Sequence, residues 1–161
     1  MPENFKKNMG SGDLGFTDLL GGKRVSKTHR RIKLNALADE LSALLGLLKT
    51  GVKGKGTKKE LTAAQAGLIK ASGIIAGARG DLKAETAALE KLINAASAGL
   101  KPLKKFILPG AGETEALAHL ARAKTRICEL LAWELKAKAP AVYLNRLSDY
   151  LFLVALSSAR K

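Results

Sequence analysis

Six leucines between Leu34 and Leu48 leave this chain few folds to adopt. Leu34, Leu37, Leu41, Leu44, Leu45 and Leu48 recur at three- and four-residue spacing, which aligns them along one stripe of an α-helix running from Arg31 to Leu48. Such a stripe is stable only when another element covers it. A second helix is expected from near Thr62, whose hydroxyl can cap the N-terminus, to about Ala76. The turn Gly77-Ala78-Arg79-Gly80 leads to a third, from Lys83 to about Ala98, carrying Leu89, Leu92 and Ile93. Leu100 to Gly112 reads as irregular, with Pro102, Pro109 and glycines. A long fourth helix fits Glu113 to Lys138, where Pro140 makes a natural stop, and a fifth runs from about Ala141 to the C-terminus. The expected fold class is all-α: an antiparallel, up-down five-helix bundle over residues 31–161, preceded by a loop segment over residues 1–30.

Composition supports helices over sheets. Hydrophobic residues make up 47% of the 161 and aromatics only 4%, so the core must be built from Leu, Ala and Ile. The apolar run Tyr150 to Leu156 falls well short of the roughly 20 residues that span a bilayer. The first residues lack the apolar segment of a secretory signal. A lone cysteine, Cys128, excludes an internal disulfide. A soluble, cytoplasmic protein is therefore expected. Lys49 to Lys59 is rich in Gly and Lys and reads as a mobile connector. Net charge is +14, which attracts phosphates in general, whether on nucleotides, nucleic acids or acidic surfaces. Charge alone does not choose among them.

Gly10-Ser11-Gly12-Asp13-Leu14-Gly15 matches the dinucleotide-binding fingerprint literally, but that motif needs a βαβ unit, which this chain does not offer. Gly22-Lys23 lacks the upstream glycine and the following hydroxyl residue of a P-loop. Gly12 to Thr17, with Gly21, Arg24, Lys27 and Arg31, instead combines glycines, hydroxyls and cations in one extended loop. Glycines let backbone N–H groups approach a phosphate, and Lys27 can neutralise it. A flexible basic tail would have the same composition, and composition weighs the two equally. On the fourth helix, His119, Arg122, Arg126, Glu129 and Trp133 share one face, while Leu117, Leu120, Ile127, Leu131 and Leu135 read as a separate apolar face. The polar stripe fits either a solvated face with ion pairs or a phosphate clamp. Asn145, Asp149 and Phe152 line a stripe of the fifth helix, and Asn145 is mildly unfavourable there. His29 and His119 are too few for a metal cage. Cys128 reads as core, and no Ser/His/Asp or Cys/His set is apparent.

Taken in order, these pieces resemble the PduO-type ATP:cob(I)alamin adenosyltransferases. The resemblance rests on Gly12-Asp13-x-Gly15-x-Thr17, Arg24-Val25-x-Lys27, Asp39-Glu40-Leu41, Phe106-Ile107-Leu108-Pro109-Gly110, His119-x-x-Arg122-x-x-x-Arg126-x-x-Glu129 and Leu144-Asn145-Arg146-Leu147-Ser148-Asp149. It implies transfer of the 5′-deoxyadenosyl group of ATP to the cobalt of reduced cobalamin. In that family Ser11, Gly12, Asp13, Gly15, Thr17 and Lys27, with Arg31 nearby, would wrap the triphosphate, and Mg²⁺ would be shared among its oxygens without a protein-only metal site. Arg126 and Glu129 would complete the ATP site, with Asn145 reaching it from the fifth helix. Arg122 would pair with Asp39 beside the corrinoid, and Phe106 would press on the lower face of the corrin ring. There it would exclude water and the dimethylbenzimidazole ligand, making Co(II) easier to reduce to the nucleophilic Co(I). The resemblance also implies a homotrimer with active sites between subunits, a flavin reductase as electron source and an adenosylcobalamin-dependent enzyme as recipient.

The chain departs from the family pattern at Met9-Gly10-Ser11, at Lys33 and Ala36, and at Ile127 and Leu130, where cations, a hydroxyl, Glu and Gly are usual. A non-catalytic corrinoid carrier of the same fold is the alternative. A basic nucleic-acid-binding bundle would account for the charge but not for Phe106, Asp39 and Asn145, and it lacks aromatics interleaved for base stacking.

Overall fold

The computed structural model describes residues 9–98, 100 and 105–159. Among these, five helices follow a short hairpin: β1 Phe16–Asp18, β2 Arg24–Ser26, α1 Arg30–Gly51, α2 Lys55–Ala76, α3 Lys83–Ser97, α4 Glu113–Glu134 and α5 Lys138–Ala159. The start of the expected N-terminal loop (1–8), part of the irregular stretch (101–104) and the last two residues of the fifth helix lie outside the described residues. Helix α1 packs on α2 and α4, and α5 packs on α4, α2 and α3. Four helices thus close a ring, and α3 lies outside it against α5.

The leucine stripe forms the centre of that ring. Leu34, Leu41, Leu45 and Leu48 are completely buried, against Leu61, Leu68 and Ile75 of α2 and Leu144, Leu147 and Leu151 of α5. Each such side chain contributes about 1.5–3 kcal/mol by leaving water. Leu37 and Leu44 pack only at the margin. Between α2 and α5, Tyr143 donates its buried hydroxyl to the Ala64 carbonyl at 2.9 Å. Gly67 makes this contact possible, because a Cβ there would collide with the tyrosine ring. Burial pushes the Tyr143 phenol well above its ordinary value. Tyr150 likewise donates to Glu60 at 2.6 Å.

The expected boundaries shift in three places. Helix α2 begins at Lys55, before Thr62, so the connector shrinks to residues 52–54. Thr62 does not cap; its hydroxyl donates to the Lys58 carbonyl inside the helix. Lysines are good helix formers, and burying Leu61 on the core outweighs the cost of Gly56. Helix α4 ends at Glu134, four residues early, where Lys136 adopts a left-handed φ of 56°. Pro140 then sits in the first turn of α5, where no backbone N–H is needed. The N-terminal loop contains a hairpin, with Phe16 opposite Ser26 and Thr17 opposite Val25.

The apolar face of α4 also differs from the expected one. Apart from Glu115 and His119 near its start, its buried side is made of small residues, Ala118, Ala121, Thr125, Cys128 and Ala132. Leu120 and Ile127 are about half exposed (51% and 46%), while Leu117, Leu131 and Leu135 pack at the core margin. Small side chains let α4 approach α5 closely. Cys128 is core as expected, and burial pushes its thiol up to about 11. No helix among the described residues is long and apolar enough to cross a membrane.

Candidate functional site

The glycine-rich loop is folded onto the end of the hairpin. Asp13 N–H donates to Gly10 and Gly15 N–H to Gly12, each at 3.1 Å, giving two overlapping turns. The Lys27 N–H then donates to the Gly15 carbonyl at 2.8 Å. Lys27 reaches back over Gly12 so closely that a Cβ on Gly12 would lie 2.7 Å from Nζ. Glycine at this position leaves room for the ammonium in this place, which a side chain would displace. Arg24 fixes the rim, donating to the Ser11 carbonyl at 2.7 Å and pairing with Asp18 at 3.5 Å. Ser11, Gly12, Asp13, Gly15 and Lys27 are gathered in one exposed, positively flanked turn, with Thr17 next to it on β1. This is an anion-binding shape.

Arg31 makes a structural contact of its own. Its guanidinium donates to the Ile75 carbonyl at 2.6 Å, tying α1 to the end of α2. The sequence placed Arg31 with the loop cations, but the structure employs it to satisfy a helix-terminal carbonyl.

A second cluster joins α4 and α5. Glu129 accepts from Asn145 Nδ2 at 3.2 Å and from Trp133 Nε1 at 3.3 Å, and Asn145 accepts from Arg146 at 2.6 Å. Arg126 stands on the exposed surface of the same helix, near Ile127 and Leu130. Among the described residues no hydrogen bond or ion pair joins this cluster to the loop of Ser11 to Lys27. The departures Lys33, Ala36, Ile127 and Leu130 all lie on exposed surface.

The third component is a cavity of about 840 Å³ at the start of α4. Its walls include Phe106, Ile107, His119, Leu120, Arg122 and Phe152. Phe106 is fully exposed, on the segment leading into α4. Arg122 lies over the Phe152 ring at 5.6 Å, and His119 meets the same ring edge-on at 6.0 Å. The Arg122 Nε is buried without a partner. Asp39 is exposed on α1 and forms no ion pair with Arg122 among the described residues.

Two residues with no expected role stand at this cavity, Phe152 in its wall and Glu115 in contact with His119 of that wall. Glu115 is almost completely buried and lies 3.0 Å from His119 Nε2, and its other oxygen accepts from the Gly110 and Ala111 N–H groups. The signal was present in the sequence: an acidic residue in the first turn after Gly112, four positions before a histidine. Phe152 was visible only as part of a stripe. Among the described residues no group of three His, Cys, Asp or Glu side chains is placed to hold a metal. The Asp13 carboxylate and Ser11 hydroxyl of the loop are donors of the type that would suit a Mg²⁺ carried on phosphate oxygens, which commonly takes one or two carboxylates plus phosphates.

Residues 8–158 match the family model described as Cobalamin adenosyltransferase. The chain is 36% identical over 158 residues to the corrinoid adenosyltransferase PduO of Salmonella typhimurium, a match covering 90% of this chain and 47% of that protein. It spans about half the length of that relative. It is also 36% identical to the corrinoid adenosyltransferase of Bacillus subtilis, covering 90% of this chain and 82% of the relative. Among solved structures, a variant PduO-type ATP:corrinoid adenosyltransferase from Lactobacillus reuteri, complexed with cobalamin and ATP, superposes with a TM-score of 0.86 at 25% identity, covering 94% of this chain and 92% of that one. By sequence over nearly its whole length, and by fold, this chain belongs to the cobalamin adenosyltransferase family.

Proposed function

We propose that this chain transfers the 5′-deoxyadenosyl group of ATP to the cobalt of a reduced corrinoid, releasing triphosphate. The observation that carries the reading is Phe106, fully exposed beside a cavity of about 840 Å³. A bare phenyl ring in water forfeits about 1.5–3 kcal/mol of burial, and ligand pockets of some 300–1,000 Å³ are lined by such groups. A large, flat, mostly apolar ligand would cover it. The structural relative complexed with cobalamin and ATP supports the same pairing of ligands.

Each residue then has work matched to its place. Phe106 occupies the lower axial side of the corrin and keeps water and a base from the cobalt, which favours the electron-rich Co(I). Arg122 and Phe152 support the wall beside it. Lys27, the Gly12 amide, and Ser11, Asp13 and Thr17 hold the triphosphate as C5′ is attacked, with Gly15 shaping the turn, so that charge developing on the leaving group meets cations already in position. Mg²⁺, when bound, supplies further charge neutralisation on those oxygens. Arg126 adds a bidentate contact, and Asn145 and Glu129 orient the nucleoside.

The loop cluster and the Arg126 cluster are separate in one chain, and the outer face of α4 exposes Leu120, Ile127 and Leu130 around Arg126. A contiguous apolar surface of this kind favours contact with another copy. In our reading the molecule is a homotrimer in which the arm of residues 1–30 on one copy meets the bundle of residues 31–161 on the next, Asp39 pairs with Arg122, and Arg31 stays close to the nucleotide. The chain would work in the cytoplasm, receiving electrons through a flavin reductase and delivering adenosylcobalamin to a dependent enzyme.

The deciding experiment is anaerobic. Protein, chemically reduced cob(I)alamin, ATP and Mg²⁺ are mixed and the visible spectrum is followed. Conversion to adenosylcobalamin with release of triphosphate establishes the activity, whereas a perturbed spectrum without conversion identifies a carrier.

A further inference from the structure

Glu115 is the least expected side chain beside the cavity, in contact with His119 of its wall. It is 1% exposed, although carboxylates are seldom fully buried without partners. One oxygen accepts from the Gly110 N–H at 2.9 Å and the Ala111 N–H at 3.1 Å. Those two amides lie just beyond the segment that carries Phe106. The other oxygen lies 3.0 Å from His119 Nε2, close enough for an ion pair yet without a well-directed hydrogen bond. His119 is itself buried, forms part of the cavity wall and abuts Phe152.

A single carboxylate therefore connects the chain entering α4, the body of α4 and, through His119, the aromatic wall from α5. Glycine at 110 has a φ of 132° and at 112 an extended backbone, so the segment has little stiffness of its own. We propose that Glu115 is a positioning residue for Phe106, holding the Phe106 segment against α4 so that the phenyl ring keeps its station on the lower side of the corrinoid. This rests on the adenosyltransferase reading above and adds to it a residue that acts on the ring through the backbone, without touching substrate.

If so, Glu115 matters in proportion to the lower ligand that Phe106 must exclude. A corrinoid carrying its dimethylbenzimidazole base presents that ligand, and a corrinoid lacking the base does not. The experiment measures adenosylation from the Co(II) state with a reductant, using both corrinoids, for wild type, Glu115→Ala, Glu115→Asp and Glu115→Gln. Asp keeps the charge but falls a methylene short of the amides, while Gln keeps a carbonyl oxygen of the right reach.

Wild type must convert both corrinoids; failure there rejects the adenosyltransferase reading itself, separately from the role of Glu115. Glu115→Ala and Glu115→Asp are expected to slow the base-bearing corrinoid about tenfold more than the baseless one, as for loss of charge-assisted hydrogen bonds. The visible spectrum of bound Co(II) should show the base returning, while the KM for ATP stays within about twofold. Glu115→Gln should restore most of the selectivity. Equal slowing of both corrinoids in the Asp variant, no slowing, or a rise confined to the ATP KM would each overturn the proposal. If the Ala variant fails to fold, the Asp and Gln pair decides alone.

Discussion

The two halves of α4 are built in opposite ways. Toward its N-terminus Glu115 and His119 are buried, and His119, Arg122 and Phe152 line an open cavity within a single chain. Toward its C-terminus the helix turns Arg126, Ile127, Leu130 and Trp133 to the surface. The cations that would share a triphosphate with Arg126 stand on a separate hairpin. The first half lines an open cavity shaped by packing against α5 and the Phe106 segment. The second is an open edge that needs an anion, and another copy of the chain, to become a site. Binding of the corrinoid should consequently depend on the integrity of one chain, and use of ATP on assembly and on salt.

The sharpest way to break this contrast is at Phe106. Phe106→Ala should slow reduction and adenosylation of base-bearing Co(II)cobalamin by about a hundredfold, an apolar seal worth roughly 3 kcal/mol, and leave the ATP KM within about twofold. Anaerobic rates at varied ATP would show it, and comparable losses in both quantities would erase the division between the halves. On the open edge, Arg126→Ala should raise the ATP KM by about ten- to thirtyfold, the worth of a charge-assisted contact, without altering the spectrum of bound cobalamin. An unchanged KM would remove Arg126 from the nucleotide site.

A smaller effect tests the hairpin. Gly12→Ala places a methyl 2.7 Å from Lys27 Nζ and should displace the ammonium, raising the ATP KM about fivefold. Its stability should stay within about 0.5 kcal/mol of wild type, because Lys27 is flexible. A denaturant melt alongside kinetics separates the two. The smallest effect belongs to the dry side of α4. The thiol of Cys128 is raised from 9.0 to about 11 by burial, so the unfolded chain ionises first as pH rises. Its contribution to stability is complete below about pH 9 and declines toward pH 11. Melts at rising pH, compared with Cys128→Ala, should show that extra decline only in wild type.

Much of the bundle was legible from local pattern. Leu34, Leu41, Leu45 and Leu48 of the α1 stripe are buried, with Leu37 and Leu44 at the core margin, and α3 begins at the expected Lys83. The errors came where burial overruled propensity. Lys55 to Lys59 reads as linker in isolation, yet it forms the first turns of α2 because Leu61 lies against the core. Pro140 reads as a stop, yet a first turn tolerates it. Leu120 and Ile127 read as part of an apolar face, yet from Ala121 onward the buried side of α4 holds only Ala, Thr and Cys. For the site, motif order singled out the loop from Ser11 to Lys27, which the structure gathers into one turn, and the pair Glu129 and Asn145, which do meet. It placed Arg31 with the phosphate-binding cations, where the structure ties it to Ile75.

The sequence by itself determined the helical class, the number of helices and the family, because periodicity and motif order are properties of the chain read along its length. Only the tertiary structure decided which face of α4 is dry, where the cavity opens, and that Glu115 holds the segment bearing Phe106. Those depend on how closely two helices approach and on which backbone amides a buried carboxylate can reach. Such distances are set by packing in three dimensions, and residues that share them need not share any spacing in the sequence.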